Sequence, residues 1–120
     1  MNIINLKDSI IYFNEQNIIE YLTLLNSLTT VYSNNQELQN MVTNFRTTVS
    51  ELPSNTMIYV IMNDKQVIGS GTLLIEKKII HNYGKVGHIE DIVIKAESEN
   101  LECAETFIEF TEDISAPFRR

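Results

Sequence analysis

The chain has 120 residues, 43% of them hydrophobic, and a formal net charge of −7. That is enough for one domain with one core; it excludes wholesale disorder and argues against nucleic acid as a partner. A single cysteine, Cys103, allows no internal disulfide, suggests no metal cluster and points to a reducing compartment. Residues Met1 to Ser9 lack an apolar run behind a basic segment, so no signal peptide is expected. No window approaches the length of a membrane span, and the cytoplasm is the expected location.

In chain order, Ser9-Ile10-Ile11-Tyr12-Phe13 is a short apolar run and reads as a strand. Asn14 to Asn17 reads as a turn, with Asn17 a good helix cap. Ile18, Ile19, Tyr21, Leu22, Leu24, Leu25 and Leu28 then recur with helical period, predicting a helix that ends near Leu28. A second helix is predicted from about Gln36 to Val49, with Leu38, Met41, Val42, Phe45 and Val49 on one core-facing stripe. Pro53 and its polar neighbours end it.

Thr56 to Met62 and Gln66 to Glu76 read as the two strands of an antiparallel hairpin around an Asn63-Asp64-Lys65 turn. Gly69 and Gly71 inside the second strand predict a bulge or a close backbone approach. The densest positive charge follows at Lys77-Lys78-Ile79-Ile80-His81, a pattern that a plain solvated turn also gives.

Gly84 and Gly87 are expected to let the backbone turn into a third strand, Ile89 to Ile94, which begins with the adjacent acids Glu90 and Asp91. Neighbouring side chains on a strand point to opposite faces. Either one acid faces the buried side, where a carboxylate is costly unless paired or used, or the strand is an edge with both acids solvated.

The composition shifts after Lys95. Residues 1–95 hold nine acids and seven bases, whereas residues 96–120 hold seven acids against Arg119 and Arg120. Leu101, Ala104, Phe107 and Ile108 predict one face of an acidic helix, and Ser115 to Arg120 a frayed end. The order of strand, helix, helix, three strands and helix gives a mixed α/β (α+β) domain: a mainly antiparallel sheet with flanking helices.

Three blocks carry a resemblance. They are Leu28-Thr29-Thr30-Val31, the run from Ile68-Gly69-Ser70-Gly71 through Glu76-Lys77-Lys78-Ile79-Ile80-His81, and Gly87-His88-Ile89-Glu90-Asp91-Ile92-Val93. In this order they resemble the glucosamine 6-phosphate N-acetyltransferases of the GCN5-related N-acetyltransferase superfamily, over roughly residues 8 to 95. The resemblance implies acetyl transfer from acetyl-CoA to the 2-amine of glucosamine 6-phosphate, toward UDP-N-acetylglucosamine, by a homodimer that needs no metal. It implies that Thr29, Lys78, Ile79, Ile80, His81, Glu90, Asp91 and Ile92 contact the sugar phosphate. Glu90 or Asp91 would hold the amine and relay its proton. The backbone of Ile92, Val93 and Ile94 would lie beside the pantetheine arm and polarise the thioester.

The match stops after Ile94. Where the family has an Arg/Gln-x-x-Gly-x-Gly/Ala loop around the CoA pyrophosphate, this chain has Glu97, Ser98 and Glu99, and no glycine follows Gly87. Each carboxylate at about 4 Å from a phosphate charge costs on the order of 1 kcal/mol in water and more when partly buried. Weak or absent binding of acetyl-CoA, and weak or absent activity, is the expectation. The family's later strands and late tyrosine have no counterpart, the last tyrosine here being Tyr83.

Residues 1–95 thus read as the N-terminal part of an acetyltransferase domain. Residues 96–120 read as a divergent tail, from a frameshift, an alternative exon or gene decay. Two other readings stand beside the enzyme: a non-catalytic module that dimerises with an intact homologue, and the product of a disrupted reading frame.

Overall fold

The computed structural model describes residues 2–96 and 101–118. Four strands form one antiparallel sheet in the order β1 (Asn2–Asn5), β2 (Thr56–Asn63), β3 (Gln66–Lys77), β4 (Lys85–Ile94). Helices α1 (Glu15–Leu25) and α2 (Asn35–Ser50) lie between β1 and β2 in sequence, a one-turn α3 (Ile80–Tyr83) joins β3 to β4, and α4 (Leu101–Ser115) follows β4. The expected class and element order hold, except that the first strand is Asn2–Asn5 in place of Ser9 to Phe13 and a short turn of helix joins β3 to β4.

Two hydrophobic clusters line the sheet's two faces. Ile18, Tyr21, Leu22 and Leu24 of α1 and Phe45 and Val49 of α2 pack with Val60, Val67 and Val93. Phe107 of α4 packs with Ile61 and Ile68, supported by Cys103 and Phe110. The layers are therefore helix pair, sheet, helix.

Several local expectations are corrected. Ser9 to Phe13 is not a strand: Ile10–Tyr12 is a 3-10 turn, closed by Tyr12 N donating to Ser9 O at 3.0 Å and Phe13 N to Ile10 O at 3.2 Å. Its buried residues are Ile10 and Phe13, three apart, while Ile11 and Tyr12 are exposed. A strand would have buried every second residue instead. The strand is Asn2–Asn5, in register from Asn2↔Met62 to Asn5↔Tyr59.

The cap of α1 is Asn14 rather than Asn17. Asn17 N donates to Asn14 Oδ1 at 2.7 Å, and Asn14 N donates back to Asn17 Oδ1 at 3.2 Å, a reciprocal capping box. The helix stops at Leu25, not Leu28, because Asn26 Oδ1 accepts from Val31 N at 2.7 Å and from Tyr32 N at 3.2 Å and folds the chain back. Leu28 is left exposed.

The hairpin turn holds Asp64 and Lys65 at φ 48° and 68°, the left-handed pair that a two-residue hairpin loop requires. The turn into β4 is not made by glycine. His81, Asn82 and Tyr83 have φ of 53°, 58° and 61°, and no glycine has positive φ. Gly87 lies inside β4 opposite Ile75, and a Cβ there would sit 3.1 Å from Cβ of Phe118. The segment Ala116–Phe118 is therefore a 3-10 turn packed on β4, where a frayed end was expected.

The buried stripe of α4 also differs. Phe107 is 0% exposed, but Ile108 is 49% exposed; Cys103, Phe110, Thr111, Ile114 and Ser115 complete the inward face with Phe107. The side chain of Leu101 and residues 97–100 lie outside the described residues.

Candidate active site

The site is built on β4, one of the two edge strands among the described residues. Pairing runs Leu73↔Ile89 and Thr72↔Glu90, then resumes at Ser70↔Val93. Two residues, Asp91 and Ile92, thus oppose the single Gly71, which makes a β-bulge. Asp91 takes φ 54°, a conformation costly for most residues but tolerated by aspartate. Behind the bulge a Cβ on Gly71 would stand 3.0 Å from Cε2 and Cζ of Phe107. The expected bulge and close approach meet at Gly71, and again at Gly69, where the ladder with β2 shifts register and a Cβ would stand 2.7 Å from Cδ1 of Ile61 and of Ile94.

The bulge breaks the strand's alternation. Glu90, Asp91 and Ile92 are all exposed, while Val93 is buried against α1 and α2. Neither acid is buried, so the edge-strand alternative is the observed one. Lys95 N donates inward to Ile68 O at 2.8 Å. Alternation from that bond turns the N–H groups of Ile94 and Ile92 away from β3, toward the edge left open by the described residues.

Sequence reasoning missed two polar residues here. Tyr21 of α1 and Ser70 of β3 are both buried, on the face where Ser70 pairs with Val93 next to the bulge. Burial pushes the Tyr21 hydroxyl above its usual range; the neighbouring Ser70 hydroxyl opposes this, and the charge of Asp91 adds to it. Tyr21 read as helix core and Ser70 as a strand residue. The signal was a hydroxyl in a stripe shared with Ile18, Leu22, Leu24 and Leu25, because a buried phenol needs a partner.

A second cluster lies along the same strand pair. Lys78 Nζ bonds Glu76 Oε1 at 2.8 Å, and His88 Nε2 lies 2.9 Å from Glu76 Oε2. Lys78 first, then His88, holds the Glu76 carboxyl below the usual carboxylate range. Glu76 thus sits between two groups that could otherwise meet an anion.

The remaining expected residues lie at loop positions. Thr29 is exposed just past α1, its N–H on Leu25 O at 3.3 Å. His81 is exposed on the left-handed turn, flanked by Ile79 and Ile80, which are 80% and 63% exposed. Ile94 lines a cavity of about 380 Å³ between α1 and the ends of β3 and β4, with Ile19, Leu24, Val67, Lys95 and Ala96. Among the described residues no cluster of His, Cys, Asp or Glu could hold a metal ion, and no helix is long and apolar enough to cross a membrane.

No protein-family model matches the chain. A glucosamine 6-phosphate N-acetyltransferase of Candida albicans is 46% identical over 81 residues, covering 67% of this chain and 52% of that protein. The chain spans about half, or less, of the length of the curated relatives it matches. Among solved structures, a Trypanosoma brucei acetyltransferase aligns with TM-score 0.64 at 23% identity, over 96% of this chain and 74% of that one. The glucosamine-6-phosphate N-acetyltransferase of Arabidopsis thaliana gives 0.56 at 24%, over 95% and 76%. A predicted acetyltransferase of Clostridium acetobutylicum, solved with acetyl-CoA, gives 0.54 at 11%, over 96% and 73%. The chain is therefore a homologue of the glucosamine 6-phosphate N-acetyltransferases, built on the GCN5-related acetyltransferase fold.

Proposed function

We propose that this chain carries the acceptor side of an N-acetyltransferase for glucosamine 6-phosphate, with a weakened hold on acetyl-CoA. The observation that carries the reading is the bulge at Asp91 and Ile92. It puts two carboxylates and outward N–H groups at one place on the edge strand of an acetyltransferase fold.

In this reading Glu90 or Asp91 holds the substrate's ammonium and takes its proton, directly or through water. The free amine then attacks the thioester carbonyl that acetyl-CoA supplies. A C–N bond forms, the C–S bond breaks, and the thiolate leaves and regains a proton. The N–H groups of Ile92 and Ile94 meet the negative charge that builds on the carbonyl oxygen. Lys78 and His81 serve the sugar phosphate, Thr29, Ile79 and Ile80 border it, and Val93 anchors the strand in the core. For Lys78 to do so, the phosphate must compete with Glu76.

The residues present fit the reacting end of acetyl-CoA better than its pyrophosphate. The pyrophosphate position falls on Glu97, Ser98 and Glu99, outside the described residues, and their charge predicts a high KM for acetyl-CoA. The test is thiol release on mixing the protein with acetyl-CoA and glucosamine 6-phosphate. Release that saturates with the sugar, and falls on the order of tenfold or more in Glu90→Gln or Asp91→Asn, is expected. No release above background, with Glu90→Gln equal to wild type, overturns the reading.

A second reading rests on the open edge of β4 and on Ile79, Ile80 and Tyr83, exposed beside it. These suit a module that dimerises, with itself or with an intact homologue. Monomeric sedimentation, alone and mixed with a full-length homologue, removes it.

A further inference from the structure

Three ionisable side chains meet beside the ladder of β3 and β4. Lys78 Nζ lies 2.8 Å from Glu76 Oε1, and His88 Nε2 lies 2.9 Å from Glu76 Oε2. Each oxygen of one carboxylate thus has its own nitrogen. These bonds, that of Lys78 first, hold the Glu76 carboxyl below its usual range, so it is ionised. An ionised carboxylate only accepts hydrogen bonds, and both nitrogens are therefore donors here. The side chains of Lys78, Glu76 and His88 are 35%, 48% and 42% exposed, so a solute can reach all three. Two donors that converge on the oxygens of one carboxylate present the same pair to two oxygens of a phosphate.

The register puts this group in line with an acceptor carboxylate. Leu74 pairs with His88 and Thr72 with Glu90, in regular register up to the bulge. His88 and Glu90 are two apart on one strand, so they share a face at a spacing of about 7 Å. One end of that line offers a carboxylate to an ammonium. The other offers two N–H donors to an anion. A ligand with its ammonium and its phosphate at opposite ends of one sugar ring bridges the two.

Glu76 is tethered to the place it fills. A tethered group competes at an effective concentration in roughly the millimolar range. A free monoanion brings the same single charge and no tether, so it does not displace Glu76. A phosphate monoester carries roughly −1.5 to −2 charges near neutral pH and three strong acceptor oxygens, and it does.

We propose that Lys78 and His88 form an anion site in line with Glu90, and that Glu76 fills it as a resident carboxylate until a phosphate dianion takes its place. Glu76 is then a specificity-determining residue: it sets the preference for a phosphorylated acceptor over one with a single negative charge. The inference deepens the acceptor-site reading and rests on it for the ammonium end. The exchange of Glu76 for phosphate is a property of the folded chain and needs no turnover.

The test follows the histidine ring signals of the whole chain by NMR, at fixed ionic strength and about pH 7.5, above the second ionisation of phosphate. The chain has two histidines, and His88→Gln identifies the His88 signal. The probes are methyl phosphate, a dianion, and dimethyl phosphate, a monoanion of similar shape. In wild type, methyl phosphate should shift the His88 signal saturably and dimethyl phosphate should leave it in place. Glu76→Gln keeps the side chain's size at an exposed position. There, methyl phosphate should bind on the order of fivefold more tightly, and dimethyl phosphate should bind as well. Lys78→Met should abolish both. Glu90→Gln should weaken glucosamine 6-phosphate relative to glucose 6-phosphate, which lacks the amine.

Equal affinity of wild type and Glu76→Gln for methyl phosphate overturns the inference, and so does a His88 signal that methyl phosphate moves in neither. A chain that binds phosphate as described but releases no thiol overturns acetyl transfer and leaves the anion site standing. A chain that releases thiol, with Glu76→Gln unaltered in both affinities, keeps the function and loses the role of Glu76.

Discussion

At the scale of single residues, sequence period misassigned one position that the fold makes decisive. Leu101, Ala104, Phe107 and Ile108 fit a helical stripe, but Cys103, Phe107, Phe110 and Thr111 fit one equally well. Only the sheet face opposite decides between them, and that is not local information. Phe107→Ala should therefore cost about 3–5 kcal/mol and Ile108→Ala within about 0.5 kcal/mol, read from denaturant midpoints. Tyr21 titrates in a checkable direction. Its raised native value means that the unfolded chain ionises first, near its ordinary 10.0. The stability that comes from keeping it neutral is full below that pH and is lost as pH rises through the native value. The wild-type midpoint should fall more steeply than that of Tyr21→Phe above about pH 10. Glu90 and Asp91 were singled out by the motif, and the structure places both at the bulge of β4. Tyr21 and Ser70 were not, because a phenol in an aliphatic stripe looks like core until its partner strand is known.

At the scale of elements, strands joined by a tight turn were readable almost to the residue, since alternation and the left-handed Asp64-Lys65 pair are both local. The boundaries of α1 were not, because they depend on side-chain bonds: Asn14 with Asn17 at one end, Asn26 with Val31 and Tyr32 at the other. Asn14→Ala should lower stability by about 1 kcal/mol, measured by thermal unfolding followed by circular dichroism. Helix α4 is poorly made for life alone. Glu102, Glu105, Glu109, Glu112 and Asp113 set like charges three and four residues apart, and its last turn has no basic residue to complement the helix dipole. Glu109→Lys should raise its stability by about 0.5 kcal/mol, with the gain shrinking as salt is added. What holds α4 in place is its aromatic face, with Phe107 and Phe110 stacked 6.2 Å apart and Phe110 edge-on to Tyr59 at 5.0 Å.

At the scale of the whole molecule, the class and order of elements followed from pattern, and the layering followed from the sheet needing cover on both faces. The part that sequence marked as divergent, after Lys95, nonetheless supplies one of the two covering layers, so residues 101–118 belong to the fold and are not an appendage. The contact of Gly71 with Phe107 gives this a dynamic meaning. The bulge faces the solvent in front and rests on one aromatic ring behind, so the docking of α4 and the shape of the β4 edge are one mechanical unit. Local opening of α4 should be felt first in the rungs beside the bulge. In hydrogen–deuterium exchange, the amides of Ser70 and Val93 should lose protection at free energies well below global unfolding, while Val60 keeps the protection of the whole domain. Phe107→Leu, which thins that support without emptying it, should widen the gap between the two sets of amides. The site would then breathe at the rate of a helix that sits on the far side of the sheet.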